Sequence, residues 1–240
     1  MPNPAHLYQA LRQTRPETKR DLKNYVKVFL GLDVPYKKIC REHHSPLDYL
    51  WHSFNTDFAQ QTSADHRPSE CESSIVHRVS RIENADCIVW ANRAGGKTEL
   101  AAIATLLDCI FKPNCRIRIL AGSGEQASKM YEYFLHFLSK GFNRLLTEPA
   151  RKDRCHFTNN SDVEVLTQSA TSIRGQHIQK LRCDEVELFE EDVFNAAKFT
   201  TQSKENIIAA MEVISTMHRP YGLMQKLVAD AQQYDVPVFK

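Results

Sequence analysis

The sequence predicts an α/β protein with a mostly parallel central sheet flanked by helices and preceded by a helical segment. Three observations carry this reading. The run Cys87-Ile88-Val89-Trp90 is short and apolar on both faces, as a strand buried inside a parallel sheet must be. Strand-like and helix-like patterns alternate from there onward, which implies right-handed crossovers between parallel strands. Residues 1 to about 60, by contrast, are polar, helical in spacing and free of two-residue alternation.

Near the amino terminus, Leu22, Val26, Phe29 and Leu30 recur at helical spacing, and Gly31 is a natural stop. A second helix is predicted after Ser45-Pro46, with Leu47, Leu50, Trp51 and Phe54 on one face. Residues 60–72 are polar and contain Pro68, which marks a linker or loop. The expected division is therefore a helical segment with its linker over residues 1–70 and an α/β domain over 71–240. After Trp90 comes a helix from Thr98 to Phe111 whose inner stripe is Leu100, Ile103, Ala104, Leu107 and Ile110. A strand over Ile117–Ala121 follows, then an amphipathic helix carrying Met130, Tyr131, Phe134, Leu135 and Leu138. Further strands are expected at Val163–Leu166, Leu181–Asp184 and Met211–Ser215. The segment Gln179-Lys180-Leu181-Arg182 is poor in apolar residues for a central strand.

The chain has 240 residues, 42% of them hydrophobic and 25% charged, enough for one large α/β core or a core with a small appendage. No stretch approaches the roughly 20 uninterrupted apolar residues of a membrane span. Met1 to Ala10 has no apolar signal-peptide core, so a soluble intracellular protein is expected. The seven cysteines are odd in number and irregular in spacing, which argues for free thiols packed as small hydrophobes. Cys40 with His43 and His44 hints at a metal cluster, but no second ligand pair follows; an exposed polar turn is the simpler reading. The net charge of +2 identifies no nucleic-acid partner by itself. Arg12, Arg15, Lys19, Arg20, Lys23 and Lys27 could follow a phosphate backbone, although a solvated basic face explains them as well.

The segment Ala91-Asn92-Arg93-Ala94-Gly95-Gly96-Lys97-Thr98 lies between predicted strand and predicted helix and fits the phosphate-binding loop G-x-x-x-x-G-K-[ST], with Ala91 in place of the first glycine. This places the fold in the P-loop NTPase class, RecA/ASCE-like. Gly95 and Gly96 would let the backbone curl so that N–H groups converge on phosphates at a helix N-terminus. Lys97 would span the β- and γ-phosphates, and Thr98 would offer its hydroxyl to Mg²⁺. Arg93 either adds a second positive charge near the γ-phosphate or is an ordinary surface arginine.

An ATPase also needs acidic residues at the end of a later strand, and Cys183-Asp184-Glu185 supplies them. Asp184 would hold Mg²⁺ through water, and Glu185 would act as general base. Ser215 and Thr216 end the last predicted strand, at the edge where such sheets place ligands. They either sense the γ-phosphate or cap the following turn.

Together these residues resemble the ATPase domain of the large terminase subunit, the motor that packages DNA into tailed-phage and herpesvirus capsids. The resemblance runs from about Ser45 to the end and rests on several motifs. They are the arginine-bearing loop Asn92–Thr98, Ala121-Gly122-Ser123 before the helix with Gln126, Ser172-Ile173-Arg174-Gly175 ahead of Asp184-Glu185, and Ser215-Thr216 as the coupling motif. It implies ATP and Mg²⁺ as cofactors and double-stranded DNA as partner. It also implies a homo-oligomeric ring on a portal protein, a small terminase subunit, no membrane and a place in the host cytoplasm. Arg154 and Arg174 are expected to face either a neighbouring subunit or DNA. Ser45-Pro46-Leu47-Asp48 lacks the glutamine that the family's adenine-contacting motif usually has. No nuclease domain is expected within these residues, and hence no nuclease activity. A superfamily-2-like helicase or a non-catalytic nucleotide-dependent assembly module are the competing expectations.

Overall fold

A computed structural model describes residues 10–56, 85–166, 173, 177–217 and 219–240. The expected linker at 60–72, Arg174 and most of the motif around it lie outside the described residues.

Helix α1 (Lys19–Tyr25) starts from a capping box between Thr18 and Asp21 and runs on into a π-helical stretch, Val26–Leu30. Gly31 ends it at φ +71°, a left-handed conformation that costs glycine nothing. Helix α2 (Pro46–Asn55) opens with a second capping box, Ser45 with Asp48, and a proline in its first turn. Both predicted helices are present. Their inward residues Leu22, Val26, Leu30, Leu50 and Phe54 join the same hydrophobic cluster as the sheet residues Ile117 and Ile119.

Among the described residues the sheet has seven strands in the order β3-β4-β2-β5-β6-β1-β7. They are β1 (Cys87–Trp90), β2 (Arg116–Ala121), β3 (Arg154–His156), β4 (Asp162–Val165), β5 (Lys180–Asp184), β6 (Ala210–Ser215) and β7 (Val238–Phe239). Every pairing is parallel except β3 with β4. Helices α3 (Lys97–Phe111) and α4 (Gly124–Leu138) follow β1 and β2. They share one core cluster with α1 and α2, while α5 (Glu191–Ala197) and α6 (Leu223–Gln233) belong to a second. Successive residues of β2 divide between the two, Ile119 to the first and Leu120 to the second, so the clusters lie on opposite faces of the sheet.

Helix α3 departs from the expected single stripe. Ala101, Ala102, Thr105 and Leu106 are buried along with the predicted Leu100, Ile103, Ala104 and Leu107. The helix is enclosed because it packs against α2, α4 and the sheet together.

The poorly apolar segment before Asp184 is a central strand after all, and a buried ionic network explains its composition. Arg182 is fully buried and donates to Asp108 at 2.6 Å and to Glu212 at 3.0 Å. Lys112 pairs with Asp108 at 2.7 Å, and Tyr49 and Ser53 of α2 each donate to Glu212 at 2.7 Å. Burial alone would raise both carboxyls. Against it, Lys112 and Arg182 hold Asp108 down at about 2, and Arg182 holds Glu212 below its ordinary value. The network joins α2, α3, β5 and β6 beneath the strand ends that bear the site.

Most of the amino-terminal basic residues are spoken for within the protein. Arg12 donates to the Gly141 carbonyl and lies over Phe142, and Arg15 lies over Phe54. Lys19 pairs with Asp48, while Lys23 and Lys27 pair with Asp33. These contacts favour the solvated structural face over a phosphate-binding one. Cys40 is exposed, with its sulfur 2.8 Å from His43 Nδ1. Among the described residues no group of three or more His, Cys, Asp or Glu side chains is placed to hold a metal. No described helix is long and apolar enough to cross a membrane.

Candidate nucleotide site

The parallel sheet sends β1, β5 and β6 in one direction, so the loops after them meet at one edge. β6 lies between β1, which leads into the glycine-bearing loop, and β5, which leads into the acidic pair. The Ala91 N–H donates to the Ser215 carbonyl at 3.3 Å, carrying the β1–β6 ladder one residue further. The chain then turns sharply, with the Gly95 N–H bonded to the Asn92 carbonyl at 3.2 Å. Gly96 stands at φ +72° as the N-cap of α3, where a side chain would be strained. Gly95 is needed for a different reason. Its missing Cβ would lie 3.0 Å from the Asn92 carbonyl oxygen. The left-handed partner of Gly96 is Ala94, at φ +60°.

An open cleft of ≈ 700 Å³ lies over this loop. Arg93, Ala94, Gly95, Gly96, Lys97 and Thr98 line one side and Asp184, Glu185 and Thr216 the other. Asn92 shapes the turn without lining the cleft. Lys97 is almost fully buried, with Nζ 3.3 Å from a Glu185 carboxylate oxygen. Thr98 donates its hydroxyl to Asp184 at 2.8 Å. Arg93 is exposed at the rim. Glu185 sits at φ +52°, a left-handed turn that takes its carboxylate off the strand and over the loop.

Burial pushes the Asp184 carboxyl up to about 6, against the hydrogen bond from Thr98, and the neighbouring Glu185 adds to the rise. A buried carboxylate that lacks full compensation, beside a hydroxyl and an open cleft, suits a small hard cation with oxygen ligands. The donor set fits Mg²⁺, which commonly takes one or two protein oxygens and completes its shell with water and phosphate.

Ser215 and Thr216 divide between the two roles left open for them. Thr216 lines the cleft and donates to Glu185 at 3.4 Å. Ser215 is fully buried, and its oxygen accepts the Glu187 N–H at 3.2 Å, capping the turn after the acidic pair. Glu187 then accepts the Met224 N–H in the first turn of α6. Four cleft residues, Glu99, Lys129, Tyr133 and Leu188, were not singled out from the sequence as site residues, and Gln126 only as a family marker. The signal for α4 was available, because positions 126, 129 and 133 fall on one helical flank beside the core stripe.

No family model matches the sequence, and no curated protein matches it. Solved structures do. The large terminase of a thermophilic bacteriophage in complex with ADP superposes with a TM-score of 0.55 at 13% identity, over 79% of this chain and 44% of that one. The HK97 bacteriophage large terminase gives 0.54 at 20% identity, over 64% and 34%. The fold is that of the phage large terminases. The same thermophilic-phage terminase in complex with ATP-γ-S gives 0.53 at 10% identity, over 79% and 43%. The chain thus spans less than half the length of these terminases, and the likeness at such identities is one of fold.

Proposed function

We propose that this chain is the ATP-hydrolysing motor domain of a phage-type terminase large subunit, driving double-stranded DNA into a capsid. The observation that carries the proposal is the convergence of Lys97, Thr98, Asp184 and Glu185 on one cleft at the edge of the terminase-type sheet. The nucleotide complexes of the thermophilic-phage terminase support the same choice of ligand.

In this reading the loop from Asn92 to Thr98 wraps the phosphates of ATP with backbone N–H groups and the positive end of α3. Lys97 meets the β- and γ-phosphates, and Arg93 at the rim adds charge where the γ-phosphoryl group leaves. Thr98 and Asp184 would hold Mg²⁺, which when bound would neutralise charge developing on the phosphate oxygens. Glu185 takes a proton from the attacking water as its oxygen bonds to the γ-phosphorus and the bond to the bridging oxygen breaks, giving ADP and phosphate. Thr216 steadies Glu185 from the end of β6. Ser215 holds the turn that links the acidic pair to α6, a route by which loss of phosphate would reach the rest of the domain.

Residues 71–240 form the proposed ATPase domain, with residues 1–70 as its helical segment. The proposed partners are duplex DNA, a portal protein bearing a ring of such subunits, and a small terminase subunit, all in the host cytoplasm. The test is ATP turnover with and without duplex DNA. Stimulation by the duplex without strand separation supports the motor, and strand separation would point to a helicase instead.

A further inference from the structure

The second face of the sheet is covered unevenly among the described residues. Helices α5 and α6 share their cluster with β1, β5 and β6, and that cluster takes only Leu120 from β2, Leu166 just past β4 and nothing from β3. Ile117, Ile119, Val163 and Cys155 point into the first cluster. Strand alternation therefore puts Arg116 and Arg118 of β2, Asp162 and Glu164 of β4, and Arg154 and His156 of β3 on the second face. The register aligns them in two rows, Arg116 with Asp162 and His156, and Arg118 with Glu164 and Arg154. All six line one open groove of ≈ 460 Å³.

A parallel pair of strands ordinarily has both faces buried in apolar contacts, so arginines on this face of β2 and β4 call for a partner. Arg118 finds one within the chain. It is nearly buried, bonds Asp162 and lies 3.2 Å from Glu164, so it draws both carboxylates of the middle strand onto itself. The flanks stay basic. Arg116 reaches Asp162 only at 3.8 Å and its side chain is 59% exposed, while Arg154 and His156 are exposed on the other side of β4. Two strand spacings, roughly 10 Å, separate these flanks. A groove with basic walls that far apart suits a polyanion able to touch both at once. Resting on the terminase reading above, we infer that this face grips the phosphate backbone of duplex DNA, with Arg116 on one wall and Arg154 and His156 on the other. Contacts to phosphate carry no base information, as translocation along any sequence requires. The face also lies away from the chemistry. Arg116 opens β2, and the nucleotide cleft begins beyond the other end of that strand, roughly 17 Å off.

The test measures binding of a labelled random-sequence duplex by the wild-type chain and three variants. They are Arg116→Gln with Arg154→Gln, Arg116→Lys with Arg154→Lys, and Lys226→Gln, a control that removes an exposed charge from α6. The glutamine pair is expected to bind about tenfold more weakly and to flatten the slope of log affinity against log salt by about two. The lysine pair keeps both charges and should stay within about threefold of wild type, as should Lys226→Gln. Basal ATP turnover and melting temperature should not change in any variant. Binding by the glutamine pair within about twofold of a wild type that does bind duplex overturns this inference alone. So does an equal loss in the lysine pair or in Lys226→Gln, which marks lost side-chain shape or lost net charge in place of a phosphate contact. A wild-type chain that turns over ATP and binds no duplex overturns the DNA-motor reading, and this inference with it.

Discussion

Lys97 Nζ lies 3.3 Å from a carboxylate oxygen of Glu185, so the proposed phosphate ligand holds the proposed base until a phosphate competes for it. The pair brings together the start of α3 and the residue after β5, which are 88 positions apart in the sequence. Because Lys97 is nearly buried, its charge acts in a medium that screens it poorly. Lys97→Ala is expected to weaken ATP binding on the order of 10²-fold. Calorimetric titration with Mg²⁺ and ATP measures it, and unchanged affinity would remove Lys97 from phosphate binding.

Asp184 gives a pH signature. Its carboxyl is raised from 3.8 to about 6, chiefly by burial. The folded chain therefore holds this proton more tightly than the unfolded chain, and the group costs stability progressively as pH rises from about 4 through about 6. The full cost is about 3 kcal/mol above that window. Asp184→Asn is expected to melt above wild type at pH 7.5 without Mg²⁺, and the advantage should vanish below pH 4. With Mg²⁺ and ATP the order should reverse. Melting curves across pH in the two conditions check both halves.

The network under the sheet titrates with the opposite sign. Asp108 is held at about 2, so its contribution is present above the ordinary carboxyl range and is lost as pH falls from about 4 toward 2. Removing the shared cation leaves two buried carboxylates facing each other. Arg182→Met is expected to destabilise the chain by about 3–5 kcal/mol, measured by urea unfolding at neutral pH. Joint replacement of Arg182, Asp108 and Glu212 by apolar residues of similar volume should cost far less.

Gly222 makes a steric prediction. It stands at the N-cap of α6 with ordinary negative φ, yet a Cβ there would lie 1.8 Å from a Glu187 carboxylate oxygen. Gly222→Ala must expel Glu187 from the helix start and so loosen the turn that Ser215 caps. A fall in stability of about 1–3 kcal/mol is expected, with partial recovery in the Gly222→Ala, Glu187→Ala double variant. Thermal unfolding of the single and double variants measures it.

The elements that frame the proposed phosphate loop were legible because each carries a strong local pattern. Cys87–Trp90 is apolar throughout, and Gly96 is required by a left-handed N-cap. Strand β5 was harder to read, since hydropathy places Lys180 and Arg182 outside, and only long-range ion pairs put Arg182 inside. β3 and β7 have three and two residues, too few for a period to show. α5 is a helix of seven residues whose first turn carries Glu191 and Asp192, and it was not anticipated. Within the site, the acidic pair could be named from spacing beside the loop. The split between Ser215 and Thr216 could not, because alternation along β6 turns one hydroxyl into the core and the next toward Glu185.

The measurement that bears most directly on the ATPase claim is phosphate release from Mg²⁺·ATP by the 240-residue chain beside Glu185→Gln. The proposed chemistry predicts turnover by the wild type. It predicts ATP affinity within about threefold in the variant, with turnover lowered on the order of 10²- to 10⁴-fold. Undiminished turnover in Glu185→Gln, or a wild-type chain that binds ATP and releases no phosphate, would contradict it.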